Sequence, residues 1–277
     1  MESDNWIVQN LQNALDTWNE KLAEIWQIIT QSPENFKGGG IWDVIVQING
    51  ALMAIGLALL VLFFVIGFCS ESVDVREEMR FEVILRMLIR IGIAQWLVVY
   101  NVDIMKAIFT SVGNLVGLIG GSEATQVTID PAQADIIKNL GFVESLVFLI
   151  LAVFLSLIIL ICGFFLIYNV YFRFLKILVI VPFGSIAYAT VAGNRGVSAT
   201  SVQFTKYFIS VVFEAVTMAL AIILCNTFIS SGLPQFTGDY ADWTKTLIYL
   251  GEMTFTVALT VGSVKGAQSL TSKALGL

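Results

Sequence analysis

Residues 44–69, VIVQINGALMAIGLALLVLFFVIGFC, decide the fold class. The stretch has no charged residue, and Asn49 lies near its start. About 20 predominantly apolar residues in an α-helix suffice to cross the hydrocarbon core of a bilayer, and this stretch is longer. It therefore predicts a transmembrane helix and places the chain among integral membrane proteins.

Composition extends this interpretation to the whole chain. Of its 277 residues, 57% are hydrophobic and 13% are charged, whereas a soluble domain has about 45–50% apolar and about 25% charged residues. Four further apolar blocks are long enough to cross a bilayer: 83–100, 140–168, 207–229 and 243–264. The sequence predicts an all-α fold, a polytopic transmembrane helical bundle with five spans.

The chain before the first span has a different pattern. Between residues 5 and 31, apolar residues recur mostly at steps of three and four, while the other face carries acidic and amide side chains. This predicts an amphipathic helix, which either lies on the membrane or on a partner, or forms an oligomer contact. Glycines 38–40 then make a flexible joint. We predict two domains: an amphipathic N-terminal helix with its glycine linker at 1–40, and a transmembrane domain at 41–277.

A helix of mixed character is predicted at 104–119, after the second span. Asp103 and Lys106 would be costly deep in hydrocarbon, so we expect this helix to be interfacial or to face a partner. Gly113, Gly117 and Gly121 form a stripe at a spacing of four, although a chain with 22 glycines also gives such spacings by chance. Small residues let two helices approach closely, so the stripe is a candidate helix-packing site.

Residues 177–192 are apolar but few, and Pro182 and Gly184 interrupt them. An apolar stretch of this length more often dips into the membrane and returns than crosses it. Broken backbone at membrane depth is tolerated where protein or water covers it. We predict a broken or re-entrant segment, and the alternative is a short ordinary span.

The basic residues distinguish between these alternatives, because cytoplasmic loops carry an excess of Lys and Arg. If residues 177–192 do not cross and the N-terminus is extracellular, ten of the fifteen Lys and Arg residues are cytoplasmic. If they cross, seven are inside and eight outside. The sequence therefore predicts a multi-pass plasma-membrane protein with five spans, an extracellular N-terminus and a cytoplasmic C-terminus.

Two carboxylates lie well inside predicted spans. Glu214 is seven residues past Tyr207, about 10 Å along a helix, and Arg173 and Lys176 are candidate partners for it. We predict a structural ion pair here, with a pore-lining or gating role as the alternative. Glu252 has no obvious cation at its depth, so it is either neutral and structural or faces water in a pore.

Catalysis, cofactors and metals have little support in the sequence. The chain has no histidine, which is the commonest metal ligand and a frequent general base. Its three cysteines match no metal spacing, and no glycine-rich phosphate loop with its lysine is present. We expect no enzyme activity, no cofactor and no metal site. The net charge of −6 also argues against a surface that grips nucleic acid.

The residues around the interrupted segment resemble a known family. A basic-flanked apolar stretch, RFLKI at 173–177, leads to Pro182, a turn at Gly193 follows, and then comes the helix FTKYFISVVFEAV from Phe204. This arrangement is similar to the TrbL-like polytopic membrane subunit of type IV secretion systems, in the form found on conjugative plasmids and integrative elements of Gram-positive bacteria. The likeness is strongest over residues 140–265, and for 44–120 only the order of elements matches.

The resemblance implies a function that the residues alone do not give. It implies a homo-oligomeric channel subunit, a small ring among the membrane lipids, that helps translocate relaxase-bound single-stranded DNA across the cell membrane in conjugation. The implied partners are the secretion ATPases, a bitopic scaffold protein and other type IV secretion subunits. Two alternatives stay open: a secondary transporter of a small solute that uses Glu214 and Glu252, and a membrane scaffold for the secretion ATPases.

Overall fold

A computed structural model of the protein describes residues 6–74, 81–119, 126–139, 141–193, 195–230, 241–274 and 276. These residues form helices and no strand, so the prediction of an all-α fold is confirmed. The α-helices of the described chain are α1 (Trp6–Thr30), α2 (Gly40–Asp74), α3 (Phe81–Val99), α4 (Asn101–Ile119), α5 (Pro131–Lys138), α6 (Phe142–Ala189), α7 (Arg195–Ser230) and α8 (Asp242–Ala274). Short 3₁₀ turns precede α2 and follow α6, at Phe36–Gly38 and Thr190–Ala192.

Stretches of five helices are long and apolar enough to cross a bilayer, and the chain is a polytopic membrane protein. They are Gly40–Ser70, Asn101–Ile119, Glu144–Ala192, Gly196–Phe228 and Asp242–Ala274. The sequence also predicted five spans, so the number agrees. The set differs in one helix: the sequence predicted a span at α3, whereas the structure has α4 among the five candidates and not α3.

The charges of the two helices explain this exchange. α3 carries Glu82, Arg86 and Arg90 in its first half, and three charges make a short helix a poor span. α4 carries only Asp103 and Lys106. The ammonium of Lys106 forms an ion pair with Glu34, which lowers the cost of placing it near the membrane.

Residues 177–192 do not break away from the preceding span. α6 runs unbroken through Pro182, and one 3₁₀ turn extends it to Ala192. The prediction of a broken or re-entrant segment is therefore wrong for the described backbone. Proline lacks the N–H that would bond the carbonyl four residues earlier, that of Leu178, and membrane helices tolerate the loss of this single bond. Next to the proline, Asn101 of α4 donates to the Val181 carbonyl at 3.0 Å and joins α4 to this part of α6.

The length of α6 has its own consequence. Its 48 residues extend over about 72 Å at the rise of an α-helix. The hydrocarbon core of a bilayer is about 30 Å thick. Only part of α6 can therefore lie in hydrocarbon, and the rest needs protein or water around it.

The described residues pack into two compact units, to which α6 and α7 both contribute. The first unit takes its residues from Met1–Thr30, Val116–Tyr171 and Val216–Leu270. The second takes its residues from Gln31–Leu115, Phe172–Ala215 and Thr271–Leu277. The predicted domain boundary at residue 40 stays a prediction.

In the first unit, α1 buries the apolar face that its periodicity predicts. Leu15 is fully buried, and the Trp18 ring lies against Gly163 of α6. The side-chain amide of Asn19 bonds both the N–H and the carbonyl of Val127, at 3.0 and 2.9 Å. The apolar face of α1 is thus covered by its own chain rather than by lipid or a partner.

Aromatic pairs join the helices of the second unit. Phe36, next to the start of α2, stacks on Phe174 of α6 with ring centroids 4.4 Å apart. Phe109 of α4 meets Phe208 of α7 edge-on at 5.6 Å. Offset-stacked and edge-to-face pairs are the favoured arrangements of aromatic rings, so these contacts help to fix the position of the helices that carry the polar residues described next.

Candidate functional site

An ion pair joins α6 to α7 inside the second unit. The Lys176 ammonium donates to both carboxylate oxygens of Glu214 at 2.8 Å. Glu214 is only 5% exposed. Ionised groups within membrane helices need an opposite charge or water, and the structure supplies the charge. It thus brings together two residues that the sequence had singled out, and their structural role stays a prediction.

Arg173 lies on α6 one turn before Lys176 and is also buried, at 3% exposed. Its guanidinium carbon is 5.2 Å from the centre of the Phe174 ring, and the charge of Glu214 acts on it. Its Nε and Nη1 have no hydrogen-bond partner among the described residues. Two cations therefore depend on one carboxylate, and Lys176 holds both oxygens of that carboxylate.

A cluster of neutral polar side chains joins three helices of the same unit. The side-chain nitrogen of Asn101 on α4 donates to Asn49 of α2 at 3.1 Å and to the Val181 carbonyl at 3.0 Å. The Ser185 hydroxyl on α6 donates to the same oxygen of Asn49 at 3.1 Å. All three side chains are buried, which is favourable only because they bond one another. We call Asn49, Asn101 and Ser185 the asparagine cluster.

Two glycines make room for this cluster. A Cβ at Gly184 would stand on the side-chain oxygen of Asn101 and close to the Met105 methyl. A Cβ at Gly56 of α2 would come within 2.7 Å of the Ser185 carbonyl. Small residues let membrane helices approach this closely. Gly184, which was predicted to break the chain, is therefore a point of close packing inside an unbroken helix.

The remaining predicted residues are Glu252 and the glycine stripe, and each is described by its own surroundings. Glu252 is half-buried on α8, and Thr256 donates to its main-chain carbonyl at 2.9 Å. Gly117 is exposed, with nothing described within 4 Å of where its Cβ would stand, and Gly113 is half-buried. Gly121 lies outside the described residues. The predicted roles of Glu252 and of the glycine stripe stay predictions.

Thiols and carboxylates form no metal centre in the part of the chain that is described. Cys69, Cys162 and Cys225 are free. The thiol of Cys225 on α7 donates to the Ser263 hydroxyl on α8 at 3.0 Å, so this cysteine links two helices of the first unit.

Sequence reasoning missed the asparagine cluster. The sequence feature that could have indicated the cluster is a polar residue within an otherwise apolar run. Asn49 in the first span and Ser185 in residues 177–192 are such residues. In hydrocarbon such a residue has to find a partner on another helix. The sequence does not say which partner, because 52 and 84 positions separate Asn101 from the other two residues.

Comparison with known proteins gives one match. A family described as TrbL/VirB6 plasmid conjugal transfer like protein matches residues 18–185, which is more than half of the chain. No curated protein and no solved structure matches. The match begins within α1 and ends at Ser185, so it includes the whole asparagine cluster, Arg173 and Lys176. It also includes residues 44–120, where we had expected the likeness to be weaker.

Proposed function

Because the chain belongs to the TrbL/VirB6 plasmid conjugal transfer family, we propose that it is a membrane-channel subunit of a conjugative type IV secretion system. The family makes it a component of the conjugal transfer apparatus. The family consists of structural transfer-system components and is not known as a family of enzymes. The match over residues 18–185 is the observation that carries the proposal.

In this proposal, several copies form a small ring that helps relaxase-bound single-stranded DNA through the cell membrane. The five candidate spans support a polytopic element of the conduit. The Lys176–Glu214 ion pair and the bonds within the asparagine cluster support a bundle in which polar side chains bond other helices rather than lipid. The net charge of −6 supports a path that does not bind DNA tightly.

The other subunits supply what this chain lacks in the proposal. The secretion ATPases provide the energy, and the remaining channel proteins continue the path. The N-terminus is extracellular and the C-terminus cytoplasmic, which places most basic residues inside as the positive-inside rule requires.

Removal of the chain from a donor strain tests the proposal. We expect transfer of DNA to recipient cells to be lost and to return when the chain is supplied in trans. Crosslinking in donor cells during transfer should attach the DNA to this chain. Loss of transfer without crosslinks, together with ATPases that leave the membrane, would indicate a scaffold instead. Undiminished transfer in the deleted strain would contradict any role in conjugation.

A further inference from the structure

One positive charge beside the buried ion pair of α6 and α7 is left without compensation. Lys176 bonds both carboxylate oxygens of Glu214 at 2.8 Å. Arg173 is 3% exposed, and its Nε and Nη1 are enclosed without a hydrogen-bond partner among the described residues. Its remaining nitrogen, Nη2, is not enclosed in this way. Two cations share one carboxylate, and buried charge that is left uncompensated is costly. The site therefore calls for a further anion.

The carboxylates near the start of α2 do not supply this anion. Glu34 forms an ion pair with Lys106 of α4. Asp43 is exposed, and its side chain bonds none of the described residues. Glu214 is the carboxylate whose charge acts on Arg173. The missing anion therefore comes from outside the described part of the chain.

The depth of this site in the membrane follows from two contacts made at the two ends of one interval of α6. Gly56, in the middle of the uncharged run 44–69, lies against the carbonyl of Ser185, which places Ser185 near the centre of the bilayer. Phe36 precedes that run and stacks on Phe174 at 4.4 Å, which places Phe174 at the edge of the hydrocarbon. Phe174 and Ser185 are about 16 Å apart along the helix, and half the hydrocarbon core is about 15 Å thick. The two contacts agree, and the basic residues on either side of Phe174 lie at the level of the lipid headgroups.

The chemistry of the site suits a lipid phosphate. Arginine forms charge-assisted hydrogen bonds with phosphate oxygens, and basic pockets between membrane helices bind lipid headgroups. The side chain of Lys176 is 19% exposed, so both cations border the outside of the chain. Phe172, beside them, is exposed and apolar, as suits a neighbour of acyl chains. We propose that Arg173, together with Lys176, binds the phosphate group of an anionic phospholipid.

This inference needs the membrane setting but not the proposed channel function. A phospholipid with a net negative charge compensates the surplus cation, whereas a zwitterionic lipid brings a positive group along with its phosphate. The site therefore prefers anionic lipid. Because Lys176 also bonds Glu214, a bound headgroup becomes part of the contact between α6 and α7 and should stabilise it.

Lipid binding to the purified protein tests the inference. The chain in lipid-free detergent micelles is titrated with phosphatidylglycerol, phosphatidylcholine, diacylglycerol or inorganic phosphate. Native mass spectrometry counts the bound lipid, and thermal unfolding measures its effect on stability. We expect phosphatidylglycerol to bind most tightly and to stabilise the protein most. Equal binding of the three lipids would overturn the inference, and an equal effect of inorganic phosphate would assign the site to the free ion rather than to lipid.

Substitutions locate the binding. Arg173→Gln should weaken binding of phosphatidylglycerol by about tenfold, the loss expected for one hydrogen bond between charged groups. Arg86→Gln on α3 is the matched control, because Arg86 is exposed and bonds none of the described residues, and it should bind the lipid like the unaltered chain. If Arg173→Gln does not fold, Lys176→Met is the second variant. It should also weaken binding, because Glu214 then compensates Arg173. Unchanged binding by the folded variant would overturn the inference, and none of these measurements depends on DNA transfer.

Discussion

Glu214 faces two cations, and this imbalance decides what each substitution at the ion pair does. Lys176 holds both carboxylate oxygens, and Arg173 depends on the same negative charge. When one partner of a buried pair is removed, the remaining charge is left uncompensated. Loss of Glu214 leaves two such charges, whereas loss of Lys176 leaves a carboxylate and an arginine that can still balance each other.

We therefore expect Glu214→Gln to destabilise the protein by about 3–5 kcal/mol, the usual cost of breaking a buried pair. Lys176→Met, which keeps most of the side-chain volume, should cost clearly less. Both effects can be measured as abundance in the membrane and as thermal stability after purification. If Glu214→Gln is as abundant and stable as the unaltered chain but no longer supports DNA transfer, Glu214 acts in the pore and not as a structural partner.

The second prediction at this scale concerns Gly184. Alanine there forces its Cβ against Asn101, and overpacking of a close contact costs about 1–3 kcal/mol. Gly184→Ala should lower the thermal stability of the purified protein. Gly262→Ala on α8 is the matched control, because nothing described lies within 4 Å of that position and alanine favours a helix by about 1 kcal/mol. Equal stability of the two variants would show that α4 does not approach α6 as closely as described.

At the scale of elements, periodicity located the helices better than it located their interruptions. The amphipathic pattern at 5–31 became α1 within a residue at each described end, because one buried face fixes the spacing of apolar residues. The predicted break at Pro182 is absent, because proline removes only one helix hydrogen bond and the helices packed against α6 hold it in place. One of their contacts is the bond from Asn101 of α4, 80 positions away, to the Val181 carbonyl beside the proline. Such a partner lies on another helix and cannot be inferred from the local sequence. The charged residues of the Glu214 ion pair stand out in an apolar sequence and could be predicted from it. The asparagine cluster could not, because the sequence does not show which polar residues on different helices meet.

Helix α1 is a part of the fold and not a detachable arm, which gives a third prediction. Leu15→Ala should destabilise the protein by about 2–5 kcal/mol, as is usual for a leucine removed from a packed site. Glu20→Ala, on the exposed side of the same helix, should change stability by less than about 0.5 kcal/mol. Thermal unfolding of the purified variants measures both effects. Equal stability of the two variants would mean that α1 does not pack on its own chain in the membrane.

At the scale of the whole molecule, two predictions from the sequence exclude each other. The sequence places α3 across the bilayer and places the turn between α6 and α7 in the cytoplasm. Arg90, at the middle of α3, donates to the carbonyl of Gly193 in that turn at 3.2 Å. If α3 crossed, the turn would lie near the centre of the bilayer, but if the turn is cytoplasmic, the middle of α3 is at the cytoplasmic surface. The charges of α3 and its absence from the five candidate spans favour the second arrangement.

We therefore expect Tyr100, the residue between α3 and α4, not to reach the outside, although the predicted order of spans puts it there. In a chain without its native cysteines, Tyr100→Cys should resist an impermeant thiol reagent applied to intact cells. Gln126→Cys, an exposed position in the segment before α5, should react and serve as the external control. Gly196→Cys should react only after the cells are opened, because the positive-inside rule places the turn in the cytoplasm. Reaction of Tyr100→Cys in intact cells would restore α3 as a crossing helix and would put the Gly193 turn, which Arg90 contacts, inside the bilayer.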